Sequence, residues 1–191
     1  MTQPPCPTPP ADAELLAQAR DGSAEAFRHL ALRYQPRLAA VLDRYTHNRH
    51  DTEDLVQETL LRAYDNLARY DDRWAVSTWL FRIAINLAIS QGRRPRPRTN
   101  HDGADSALTA PAHAQPATQA AQREQAGRVW AIARQQLSAD QYAMLWLAYV
   151  EQMPVAGIAA AMGKSRVAVK VAMHRARQRL AEHLADEMQE P

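Results

Sequence analysis

One cysteine, Cys6, occurs in 191 residues, so no intramolecular disulfide can form and a cysteine-based zinc site is excluded. That scarcity fits a reducing compartment. Long apolar runs are missing as well: the strongest, Ala143 to Val150, falls far short of the roughly 20 residues that a membrane helix needs. Met1 to Pro10 is rich in proline and has neither the basic start nor the apolar centre of a secretory signal. These absences predict a soluble, cytoplasmic protein with no membrane insertion. No phosphate-cradling glycine loop and no nucleophile beside a base stands out, so neither a catalytic centre nor a cofactor is expected. A large excess of one charge is absent too. With a net charge of +2, any affinity for a polyanion has to come from local clustering.

The clusters are there. Arg93, Arg94, Arg96 and Arg98 form one; Lys164, Arg166, Lys170, Arg175, Arg177 and Arg179 form another, while Asp51, Glu53, Asp54 and Glu58 gather acid elsewhere. Separate cationic and anionic faces suggest two different partners.

The periodicity is helical throughout, with no strand alternation and no internal repeat. Residues 1–12 read as a disordered tail, 13–94 as a first helical module, 95–122 as a flexible linker rich in Ala, Pro, Thr and Gln, and 123–187 as a second helical module. The fold class is therefore all-α, two small helical domains on a tether. Ser23 is placed to cap the helix that carries Phe27, Leu30, Tyr34 and Leu38, and Pro36 predicts a kink or break within it. A third helix is expected after the polar stretch Thr46 to Asp51, and a fourth from about Ser77 to Gln91 with Ser77 or Thr78 as its cap.

Three constellations carry chemistry. Asp51, Asp54 and Glu58 fall at i, i+3 and i+7 on one helix face; with His47 and His50 they could hold a hard cation, but a polar partner-binding face fits better, since nothing nearby completes a catalytic site. Trp74, Trp79 and Phe81 interleave with Arg73, Arg82, Arg93 and Arg94, a pattern suited to stacking unpaired bases, with core filling as the competing use of the rings. Val155 to Leu184 reads as two helices joined by a turn at Gly163. Val169, Met173, Ala176 and Leu180 form the buried stripe of the second helix, and most of its cations lie off that stripe, as in a helix-turn-helix.

Asp51-Thr-Glu-Asp-Leu-Val-Gln-Glu-Thr-Leu-Leu-Arg-Ala-Tyr64 and Ser77-Thr-Trp-Leu-Phe-Arg-Ile-Ala-Ile-Asn-Leu-Ala88 resemble the core-binding and promoter-melting region of bacterial sigma factors of the extracytoplasmic-function (ECF) group of the sigma-70 family, and Leu137 through His174-Arg-Ala-Arg-Gln-Arg-Leu180 is similar to that group's minus-thirty-five-binding region. The resemblance spans about Ala13 to Leu184. It implies a sigma region 2 bundle at 13–94, a region 4 helix-turn-helix at 123–187, and a non-enzymatic role in promoter-specific transcription initiation. The implied partners are core RNA polymerase, through its beta-prime coiled coil and beta flap, promoter DNA, and an anti-sigma factor, although no residue here demonstrates the last. Asp51, Asp54, Leu55, Gln57, Glu58 and Arg62 would face core polymerase. Trp79, Arg82, Asn86, Arg93 and Arg94 would take the minus-ten strand, and Lys164, Ser165, Arg166, Lys170, His174 and Arg175 the duplex.

One segment departs from the family pattern. Where the group usually has Thr-Val-Lys-Ser-Arg, this chain has Ala168-Val169-Lys170-Val171-Ala172, so a hydroxyl and a guanidinium are gone. Val167 and Val171 project opposite the buried stripe, where they can meet thymine methyl groups or protein. Two rival readings remain at this stage: a stand-alone helix-turn-helix regulator, and a metal-dependent enzyme built on His47, His50, Asp51 and Asp54.

Overall fold

The computed structural model describes residues 11–92 and 118–187. These form eight α-helices and no strand: α1 (Asp12–Arg20), α2 (Ala24–Leu42), α3 (Arg49–Asp65), α4 (Val76–Gly92), α5 (Thr118–Gln136), α6 (Ala139–Tyr149), α7 (Val155–Met162) and α8 (Arg166–Glu187), with a short 3-10 turn at Leu67–Arg69 before α4. Among the described residues no helix is long and apolar enough to cross a membrane. The tail at 1–10 and the linker at 93–117 lie outside the described residues, as do Arg93, Arg94, Arg96 and Arg98.

Polar side chains start several of the helices. Ser23 Oγ accepts the Ala26 N–H at 3.2 Å, and Asn48 Oδ1 accepts that of Asp51 at 2.8 Å. Ser138 and Gln141 exchange side-chain and backbone bonds in a capping box that opens α6. Four expectations are corrected. First, α3 starts at Arg49, because Asn48 takes the cap inside the stretch read as a connector. Second, α4 starts at Val76, and the Ala75 carbonyl already accepts the Trp79 N–H, so Ser77 and Thr78 sit within the first turn and Thr78 is buried. Third, the tail and linker are shorter at their described edges: Asp12 opens α1, and residues 118–122 belong to α5. Asp12 is held there by Arg33 and by the Tyr34 hydroxyl.

The fourth is Pro36. Helix α2 runs unbroken from Ala24 to Leu42 through it. A proline inside a helix removes one backbone bond and costs about 3 kcal/mol. Here both Pro36 and Leu32, whose carbonyl loses its donor, are on the solvent side, where water can serve that oxygen. Tyr34, Leu38, Val41 and Leu42 are buried on the other side, and their packing against α1, α3 and α4 holds the helix in one piece.

Helices α1 to α4 pack around Leu16, Leu30, Leu38, Leu42, Leu80 and Phe81. Helices α5 to α8 enclose Ala133, Met144, Leu147, Ile158, Val169 and Ala176. The two halves also pack on each other, α7 lying against α4 and α6 against α2. That contact was not expected of modules on a tether. Its cause is composition: α4 is apolar on more than the one face that α2 and α3 cover, and α7, Val-Ala-Gly-Ile-Ala-Ala-Ala-Met, is apolar all round, so each needs a second partner.

Candidate nucleic-acid and polymerase interfaces

Helix α3 sends Thr52, Leu55, Val56, Thr59 and Ala63 into the core and its acids outward. The acids are paired along the helix: Arg49 with Glu53 at 2.7 Å, Arg62 with Glu58 at 2.6 Å, and His50 with Asp54 at 3.7 Å. Such exposed pairs are worth little, so these groups are cheaply re-paired with an incoming partner. Asp51, Asp54, Gln57, Glu58 and Arg62 all reach the surface to some degree. Leu55 does not. At 1 % exposure it belongs to the core, and the exposed leucine of this helix is Leu61, at 61 %. Leu60 and Leu61 are adjacent and about 100° apart around the helix, so one of them has to point away from the core. Among the described residues no three His, Asp or Glu side chains gather as a metal site would require.

Helix α4 separates its rings. Phe81 is fully buried, while Trp79, two residues and about 200° away, is half-buried and stands edge-on to Tyr70 with centroids 5.2 Å apart. Trp79, Arg82 and Asn86 share a face at three- and four-residue spacing and line a cleft of about 210 Å³, below the roughly 300–1,000 Å³ of a drug-sized pocket and suited to one planar ring. The preceding loop completes it with Arg69, Asp71 and Trp74. That loop is tied by Arg73, whose guanidinium donates to Asp71 at 2.6 and 3.0 Å, and by the Tyr70 hydroxyl, which donates to the Trp74 carbonyl. The Arg73 bond holds the Asp71 carboxyl below the usual carboxylate range, so an ionised Arg73–Asp71 pair sits at the rim. Arg69 and Asp71 were not singled out in the sequence, and only the polar turn Asp71-Asp72-Arg73 just ahead of α4 hinted at them.

Gly163 ends α7 in the left-handed region at φ 62°, and Ser165 Oγ then accepts the Ala168 N–H at 3.1 Å to start α8. The Ser165 hydroxyl is thus already an acceptor for its own helix and keeps its proton and a second lone pair for a partner. Val169, Met173, Ala176 and Leu180 are buried, as their stripe predicts. Arg166, Lys170, His174 and Arg175 are exposed, with Val167 and Val171 between them at 71 % and 43 %. Lys164 is also on the surface but meets Asp140 at 3.2 Å.

Both halves of the chain match known families. Residues 30–98 match the family Sigma-70 region 2, and residues 133–180 match the family Sigma-70, region 4. The ECF RNA polymerase sigma factor SigG of Mycobacterium tuberculosis is 36 % identical over 168 residues, which cover 77 % of this chain and 45 % of that protein. This chain belongs to the sigma-70 family, in its ECF group. The ECF RNA polymerase sigma-E factor of Haemophilus influenzae is another relative of this ECF chain, 40 % identical over 88 residues, or 44 % of this chain and 46 % of that protein. The chain spans about half the length of the curated relatives it matches. Among solved structures, CnrH in complex with the cytosolic domain of CnrY has a TM-score of 0.62 at 24 % identity, covering 93 % of this chain and 99 % of that one. The sigma factor RpoE of Bartonella quintana, in complex with the anti-sigma factor NepR, has a TM-score of 0.57 at 22 % identity over 85 % and 98 % of the two chains. At those identities they establish a shared all-helical fold.

Proposed function

We propose that this chain is a transcription initiation factor that binds core RNA polymerase, brings it to promoters and helps to open the duplex. What carries the reading is the presence, in one chain, of both family matches together with a ring-sized cleft on α4 and an exposed basic helix α8. In this scheme residues 13–92 are the polymerase-binding and melting unit and 123–187 the duplex-reading unit. Asp51, Asp54, Gln57, Glu58 and Arg62 meet the beta-prime coiled coil, with Leu61 in place of Leu55 as the apolar contact.

The cleft on α4 takes a base that leaves the stack. Trp79 offers a face or edge, Asn86 an amide with both donor and acceptor, and Arg82 a cation for phosphate; stacking contributes about 1–3 kcal/mol per base. Helix α8 enters the major groove with Arg166, Lys170, His174 and Arg175 toward phosphates and base edges, and with Val167 and Val171 against thymine methyls. The chain supplies recognition and the polymerase supplies the chemistry, which puts the site of action in the cytoplasm. An inhibitor of the kind seen with Bartonella RpoE is a further partner in this scheme. A stand-alone regulator leaves the region 2 match and the α3 face without a role.

Transcription in vitro with core polymerase on a promoter library tests the proposal. Initiation from a discrete set of start sites is expected. Failure of the purified chain to associate with core polymerase overturns it.

A further inference from the structure

Helix α8 puts its apolar side chains in two places. Val169, Met173, Ala176 and Leu180 go into the core, while Val167 and Val171, each two residues and about 200° from Val169, point the other way at 71 % and 43 % exposure. Ala168 lies beside them and is exposed as well, so the outer face of the first turns carries a patch with no polar side-chain atom in it. Arg166, Lys170 and His174 run along one flank of the patch at four-residue spacing, and Arg175 continues the valine row by one more turn. A patch framed by cations suits a groove lined by phosphates, and the N-terminal residues of a helix seated there are the ones that meet base edges.

What these side chains can recognise in such a groove is narrow. The base edges present hydrogen-bonding groups and one apolar group, the methyl on C5 of thymine. A valine against that methyl removes apolar surface from water on both partners, and over the bare C5–H of cytosine or uracil it removes less. Each valine is β-branched and holds essentially one χ1 rotamer in a helix, so the contact costs little side-chain freedom. The two stand about 6 Å apart along α8, between one and two base steps of about 3.4 Å, which lets the pair meet methyls on neighbouring base pairs.

Resting on the duplex-reading role of α8 proposed above, we infer that Val167 and Val171 make this helix a reader of pyrimidine C5-methyl groups, so that 5-methylcytosine takes the place of thymine and methylation of a cytosine at those positions strengthens binding. An alkyl side chain has no donor or acceptor with which to tell the O4 of thymine from the N4 amino group of 5-methylcytosine. The methyl is the only group that the contact registers, and it sits at the same place on both bases.

The test uses the full chain assembled with core RNA polymerase, and promoters recovered from a random library. Their upstream duplex element is resynthesised with deoxyuridine for thymidine, which removes the methyl alone. In a second series, cytosine or 5-methylcytosine stands at each position where deoxyuridine weakens binding. Competition binding reads the relative affinities. Deoxyuridine is expected to weaken binding about fourfold for each contacted methyl and about fifteenfold for two, and methylation of each cytosine to recover about fourfold. Val167→Ser with Val171→Ser, both outside the core, is expected to bind the thymidine and deoxyuridine duplexes equally, with circular dichroism confirming helix content. Equal binding of the two duplexes by the unaltered chain overturns the methyl reading and leaves the polymerase role standing. A deoxyuridine effect that persists in the serine substitutions belongs to DNA shape and overturns the part given to the valines. Equal binding of cytosine and 5-methylcytosine overturns the exchange of one methylated base for the other. Failure to recover any discrete upstream element overturns the duplex-reading role of α8, and this inference with it.

Discussion

Val167 and Val171 stand between cations on the outer face of α8, at positions where their chemistry matters only to whatever the helix meets. Around them, Arg175 is exposed and unburdened by the core, so Arg175→Ala is expected to weaken duplex binding with little change in thermal stability. If it neutralises one phosphate, the slope of log K against log salt should flatten by about 0.9. A salt series of anisotropy titrations measures this, and an unchanged slope removes Arg175 from the contact. The buried tyrosines give a second residue-scale prediction. Burial pushes the Tyr142 phenol up to about 12 from an ordinary value of 10, and burial also raises Tyr34 and Tyr45, each with a carboxylate accepting its hydroxyl proton. A raised value means that the folded state prefers the neutral phenol, so this stability is complete below about pH 10 and is lost as pH rises from 10 toward 12. Phenolate absorbance should therefore lag behind that of free tyrosine and rise with unfolding. Single residues were legible in the sequence where helical phase alone decides exposure, as with the α8 stripe. They were misread where a resemblance was set above phase, as with Leu55, which the resemblance assigned to the polymerase face and the structure buries.

At the scale of elements, caps and stops carried most of the information. Ser23, Ser138 and Gly163 do in the structure what their chemistry does in short peptides, since a cap bond or a left-handed turn needs only its own few residues. Pro36 is the counter-example, because its local preference to interrupt α2 is outweighed by core contacts along the same helix. Pro36→Ala restores the missing donor to the Leu32 carbonyl, and chemical denaturation should show a gain of about 2 kcal/mol, the helix term of about 3 kcal/mol less the roughly 0.4–1 kcal/mol of added freedom of the unfolded chain. A loss of stability would mean that the proline ring packs usefully where it stands. Phe81→Ala is expected to cost about 3–5 kcal/mol, since that ring is fully buried between helices. The same denaturation experiment reads it, and a cost below 1 kcal/mol would place the ring outside the core.

For the whole molecule, the consequential feature is that the halves meet. Helix α7 on α4 and the ion pairs at the end of α2 couple the folding of one half to that of the other, so calorimetry of the native chain should give one transition. Arg37→Ala leaves Glu151 without its cation, and the trace is expected to split into two transitions as the halves part to rehydrate that carboxylate. A single transition at an unchanged temperature would show that the pair contributes nothing to the coupling. Helical phase, capping chemistry and charge clustering are short-range properties, and by themselves they determined the all-helical class, most helix limits, the helix-turn-helix and the two cationic and anionic faces. Which surplus apolar face finds which partner is a long-range question. The tertiary structure alone decided that α7 covers α4, that Ala160 walls the cleft beside Trp79, and that Arg37 finds Glu151, because each joins residues far apart in sequence whose pairing no local preference encodes.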